Sequence, residues 1–176
     1  GTPFYTDEEL LGFMRDMRRR NLDISAHAIG DAAVRRLLDL WESFDEHSDS
    51  TLRIEHAQFI DEGDVDRLCD PRRRIVVSMQ PCHLLTDMEA IERLTPHRAD
   101  RAFALRDLLD ACGRFGVDPA QRIVLGSDTP VVRPDPMDNI QAAAERRRAG
   151  MAPERAIAPA QAISARECAA LMRPSA

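Results

Sequence analysis

His27, His56, His83 and Asp128 are the residues of this sequence whose types and spacing can do chemistry. Imidazole nitrogens and carboxylate oxygens are the donors that hold zinc and similar divalent ions. His27 closes the apolar stretch "LDISAHAI", His56 closes "TLRIEH", and Asp128 follows "RIVLGS". A further apolar stretch, "RIVVSMQP", runs into Gln80 and His83. Each residue alone has an ordinary explanation. A strand-end histidine is commonly a hydrogen-bonded structural residue, and an aspartate in "GSDTP" can cap a turn or a helix. Together, in order and at matching points, His27, His56 and Asp128 predict a metal site. His83 is either a substrate-facing group or a loop anchor. His47, in "FDEHSDS", and His97, after Pro96, read as solvated.

These groups converge only if the apolar stretches are neighbouring strands. Strands are expected over 22–29, 51–58, 74–81 and 122–131, and helices over 7–20, 31–44, 61–70, 99–116, 137–150 and 161–171. The first helix should turn Leu10, Leu11, Phe13, Met14 and Met17 inward, and the second Ala33, Val34, Leu37, Leu38 and Trp41. Gly30 and Asp31 supply the turn into the second helix, with Asp31 as its cap. Strand and helix in alternation, with near-continuous apolar strands, predict an α/β fold with a parallel sheet under helices. Chemistry in such folds collects at the carboxyl ends of the strands. "CHLLTDMEAIERLTPHR" is expected to be a long loop, its apolar residues a possible lid. Strand alternation puts Glu55 on the face opposite His56, toward the helices, with Arg53 or a helix arginine as its partner.

Composition narrows the classes. With 176 residues the chain can bury one sizeable core, and it reads as a single domain over 1–176. A net charge of −6 argues against a nucleic-acid partner. All 24 basic residues are arginine, so this chain supplies no Schiff-base or bridging lysine. No stretch is long enough for a membrane helix, and the polar opening "GTPFYTDEELL" lacks a signal-peptide pattern. Cys69, Cys82, Cys112 and Cys168 are widely spaced, which fits reduced thiols and a cytoplasmic location.

The segments "HAIGDAAV", "RIEHAQ", "SMQPCHLLTD" and "LGSDTPV", in this order, resemble the amidohydrolase superfamily, in its YtcJ-like branch that includes N-substituted formamide deformylase. The resemblance implies a partial TIM (β/α)8 barrel whose strands correspond to barrel strands 5 to 8. It also implies hydrolysis of a C–N bond, an amide foremost, with a divalent metal, zinc first. On this resemblance His27 and His56 are the fifth- and sixth-strand metal ligands. Asp128 is the eighth-strand aspartate, a metal ligand that also handles the proton of the attacking water. Gln80 and His83 match a segment near the substrate.

The family's first-strand His-x-His pair and its fourth-strand bridging residue have no counterpart in this sequence. The chain is therefore expected to be the C-terminal half-barrel of a longer enzyme. Its metal site is then weakened or empty, its two edge strands are raw, and its apolar interior is uncovered. The expected partners are a small-molecule substrate and either the remainder of a longer chain or further copies in a homo-oligomer. The competing reading is an inactive half-barrel module acting in oligomerisation or small-molecule binding. A serine hydrolase is disfavoured, because no GxSxG elbow is present.

Overall fold

Thr6 opens the first helix with a capping box: its hydroxyl accepts from Glu9 N at 3.2 Å while the Glu9 carboxylate accepts from Thr6 N at 2.8 Å. The computed structural model describes residues 3–44 and 48–172, so His47 lies outside the described residues. Helix α1 is Asp7–Arg19, followed by β1 Ile24–Ala28, α2 Asp31–Glu42, β2 Leu52–His56 and α3 Glu62–Cys69. Then come β3 Ile75–Met79, α4 His83–Leu94, α5 Leu105–Phe115, β4 Ile123–Leu125, α6 Pro136–Glu145 and α7 Ala165–Leu171.

The four strands form one parallel sheet in the order β1-β2-β3-β4. Ala28 pairs with His56, Glu55 with Ser78, and Ser78 with Val124. This is the expected α/β partial barrel, with β1 and β4 at its edges. The core lies between sheet and helices. Ile24, Leu52, Ile54, Ile75, Val77, Ile123 and Leu125 from the strands meet Val34, Leu38, Leu68, Leu108, Ala142 and Cys168 from the helices. All four cysteines are free and buried.

The other face of the sheet corrects an expectation. It is open but not apolar. Ser25 and His27 project there from β1, Arg53 and Glu55 from β2, and Ser78 and Gln80 from β3 and just beyond it. By period-two alternation only Val76 and Val124 of these strands interrupt the polar rows.

Other departures have local causes. "CHLLTDMEAIERL" is helix α4, not a loop, and Leu84, Met88 and Ile91 are buried in the core, so they form no lid. Phe13 stays exposed, because α1 commits only Met14 fully to the core; Ala33 on α2 is exposed too. The cap of α2 is Gly30, and Asp31, one residue further in, pairs with Arg98 at 2.5 Å. β4 is three residues long because the chain leaves the sheet at Gly126. Near the end of α6, Arg146 is buried, its Nε donating to Ile157 O at 3.1 Å, and burial pushes its pKa down to about 10.

Candidate metal centre

β2 carries alternating burial up to its last residue: Leu52 and Ile54 face the helices, Arg53 and Glu55 the open side. Strict alternation would send His56 to the helices. It does not, because the backbone turns left-handed there, with φ 73° at His56 and 44° at Ala57. Positive φ at a branched or bulky residue costs energy and persists where surrounding structure enforces it, often at functional sites. The turn swings His56 to the mouth of the sheet, on the same side as Glu55. The expected helix-facing Glu55 is thus corrected. Its expected partner is Arg53, whose Nε meets Oε1 at 2.5 Å, and Ser25 Oγ donates to the same oxygen at 3.0 Å.

His27 Nδ1 lies 2.8 Å from His56 Nε2. The ligand atoms of His56, His83 and Asp128 all lie within 4.8 Å of one another. His83 arrives as the first residue of α4, and its Nε2 donates to Ser127 O at 3.4 Å, which leaves Nδ1 as its lone-pair atom. Asp128 sits past β4, also left-handed, at φ 59°. His27, His56, Gln80 and Asp128 line one cavity of about 340 Å³, with Ser25, Arg53, Glu55, Ser78 and Gly126. The structure therefore brings all five sequence-predicted residues to one mouth. His97 is exposed and does not join this set.

The electrostatics suit a cation. Burial, and next the neighbouring His27, hold the pKa of His56 below its usual value, so the ring is neutral and keeps a lone pair near neutrality. Asp128 opposes that shift from across the site. Among the described residues, buried His56 Nδ1 has no hydrogen-bond partner. Two imidazole nitrogens on one tetrahedral zinc ion lie about 3.3 Å apart, so the His27–His56 spacing needs little opening to take one. The residues present fit a divalent ion.

Two supports escaped the sequence reading. Asn139 on α6 is buried; it accepts from Cys82 N at 2.9 Å and donates to Gly126 O at 2.9 Å. It thereby ties the turn that carries His83 to the turn that carries Asp128. No local pattern marks it. The polar ladder of Ser25, Arg53, Glu55 and Ser78 was signalled by polar residues at every second position of the strands. Glu55 is held ionised. Burial acts against that, but the Ser78 hydroxyl, Arg53 and Ser25 outweigh it and bring its pKa below the usual value.

A sequence model of the amidohydrolase family matches residues 1–176. The chain is 33% identical over 144 residues to Protein LONG AFTER FAR-RED 3 of Arabidopsis thaliana, covering 79% of this chain and 23% of that protein. It is 30% identical over 148 residues to the putative amidohydrolase YtcJ of Bacillus subtilis (strain 168), covering 84% of this chain and 26% of that one. The fold matches an uncharacterized metal-dependent hydrolase from Pyrococcus horikoshii OT3 with a TM-score of 0.76 at 24% identity, over 96% of this chain and 32% of that one. A second such hydrolase, from Pyrococcus furiosus, matches with a TM-score of 0.75 at 24% identity, over 98% of this chain and 32% of the other. The chain spans about a quarter of the length of the curated relatives it matches.

Proposed function

The chain belongs to the amidohydrolase family, and from that premise we propose that it is the C-terminal half-barrel of a metal-dependent hydrolase cleaving a C–N bond, an amide foremost. The observation that carries this reading is the cluster itself: His56, His83 and Asp128 ligand atoms within 4.8 Å, and His27 at 2.8 Å from His56. His27, His56 and Asp128 are the proposed metal ligands, with His83 and Gln80 beside them. Imidazole and carboxylate donors favour zinc.

A bound divalent ion supplies Lewis acidity, acidifying water and polarising a carbonyl. Asp128 then accepts the proton of the attacking water and delivers it to the leaving amine. His56, kept neutral by burial, would offer a lone pair to the ion beside His27 Nδ1. Glu55, paired with Arg53 deeper in the cavity, keeps a fixed negative charge beneath the histidines. The remaining ligands come from the rest of a longer chain or from a second copy lying along the open edges of β1 and β4. The substrate is a small molecule that enters the open mouth.

The test is amine release from simple amides by the zinc-loaded chain, beside Asp128→Asn. A loss of about 100-fold or more in the variant is expected, the scale of general acid–base catalysis. Equal turnover in both would overturn the role of Asp128. No turnover in either, with the cavity still occupied by a small ligand, favours a non-catalytic binding module.

A further inference from the structure

Two buried polar atoms at the site are left over. Among the described residues His56 Nδ1 and Gln80 Oε1 each lack a hydrogen-bond partner, and both side chains line the same cavity. Gln80 is 5% exposed and His56 8%. A buried polar group left unpaired costs about 1–3 kcal/mol, so both atoms call for a partner. They are chemically complementary. Gln80 Nε2 donates to Ser78 O at 3.3 Å, which orients the amide and leaves its oxygen free. His56 Nε2 faces His27 Nδ1 at 2.8 Å, and with His27 donating there the His56 proton sits on Nδ1. Gln80 lies beside His56.

We propose that Gln80 Oε1 accepts a hydrogen bond from His56 Nδ1–H and so fixes the His56 tautomer, turning the Nε2 lone pair toward His27 and the metal. Gln80 is then a positioning residue for His56, not a substrate contact. Ligating histidines characteristically donate their second N–H to an oxygen that sets ring and tautomer. The sequence order makes the device economical, because Gln80 leaves β3 beside the strand that ends in His56. This inference rests on the reading of His56 as a metal ligand.

The first readout needs no metal. Long-range ¹H–¹⁵N correlation of the imidazoles in the metal-free 176-residue chain, at mildly alkaline pH, reports each tautomer. His56 is expected as the Nδ1–H form in the wild type and as a mixture in Gln80→Leu. The second readout is zinc affinity by chelator competition. Gln80→Leu should weaken zinc about 10–100-fold, while Gln80→Glu, which keeps an oxygen acceptor, should stay within about threefold of wild type.

A wild-type His56 found as the Nε2–H form overturns the proposal, whether or not the variants fold. An unchanged tautomer and unchanged zinc affinity in Gln80→Leu overturn it as well. A tautomer that responds to Gln80→Leu in a chain that binds no zinc upholds the positioning role and overturns the metal reading instead.

Discussion

The two faces of the sheet are built on opposite principles. On the helix side, Ile24, Leu52, Ile54, Ile75 and Val77 are almost wholly removed from water. On the other side the same strands present Ser25, His27, Arg53, Glu55, Ser78 and Gln80. Consecutive residues thus belong to different tasks: Ile54 holds the fold, and Glu55 furnishes the cavity. At His56 the division breaks, and the left-handed backbone carries the last residue of the strand over to the side of the chemistry. Stability and function are separable here residue by residue, and substitutions on the two faces should have different signatures.

The largest effect on stability should come from the helix side. Ile54→Ala removes a fully buried side chain and should cost about 2–5 kcal/mol in urea unfolding. Asn139→Ala belongs to neither face alone. It strands Cys82 N–H and Gly126 C=O, and should cost about 1–3 kcal/mol while also loosening zinc, as read by unfolding and chelator competition on one preparation.

Glu55→Gln should show a pH signature. A carboxylate whose folded pKa is depressed contributes stability that is present above its unfolded value of 4.5 and lost as pH falls through the folded one. The unfolding midpoint of the metal-free wild type should therefore drop more between about pH 7 and about pH 3 than that of Glu55→Gln. Equal drops would show that the Arg53–Glu55 pair adds nothing. His27→Ala should change stability least, within about 0.5 kcal/mol, because the side chain is exposed on an edge strand. It should nonetheless weaken zinc. A variant that is stability-neutral yet metal-defective sharpens the contrast between the faces.

Much of this arrangement was legible beforehand. The alternation of "LDISAHAI", "TLRIEHAQ" and "RIVVSMQP" with helical segments sufficed for a parallel sheet in chain order, and matching strand ends pointed to His27, His56 and Asp128. The position of His56 was reached by a route that alternation forbids. Period two places it with Ile54, and only a positive φ brings it beside Glu55, a backbone event that no residue type at that position announces. The polar interior, by contrast, was visible and passed over. Ser25 and His27, Arg53 and Glu55, and Ser78 and Gln80 are polar pairs two apart, which is the strand period itself. Helix α4 was legible too, since Leu84, Met88 and Ile91 recur at helical spacing. Asn139 was not legible, because its partners lie far away in sequence and are backbone groups.

The central claim is that the mouth of the sheet holds a divalent ion. Its most direct test is the zinc content of the dialysed 176-residue chain by elemental analysis, beside His56→Ala, with circular dichroism showing that both remain folded. Stoichiometric zinc in the wild type and its loss in His56→Ala are the predicted result. A wild type that retains no zinc, or a folded variant that retains as much as the wild type, would contradict the account.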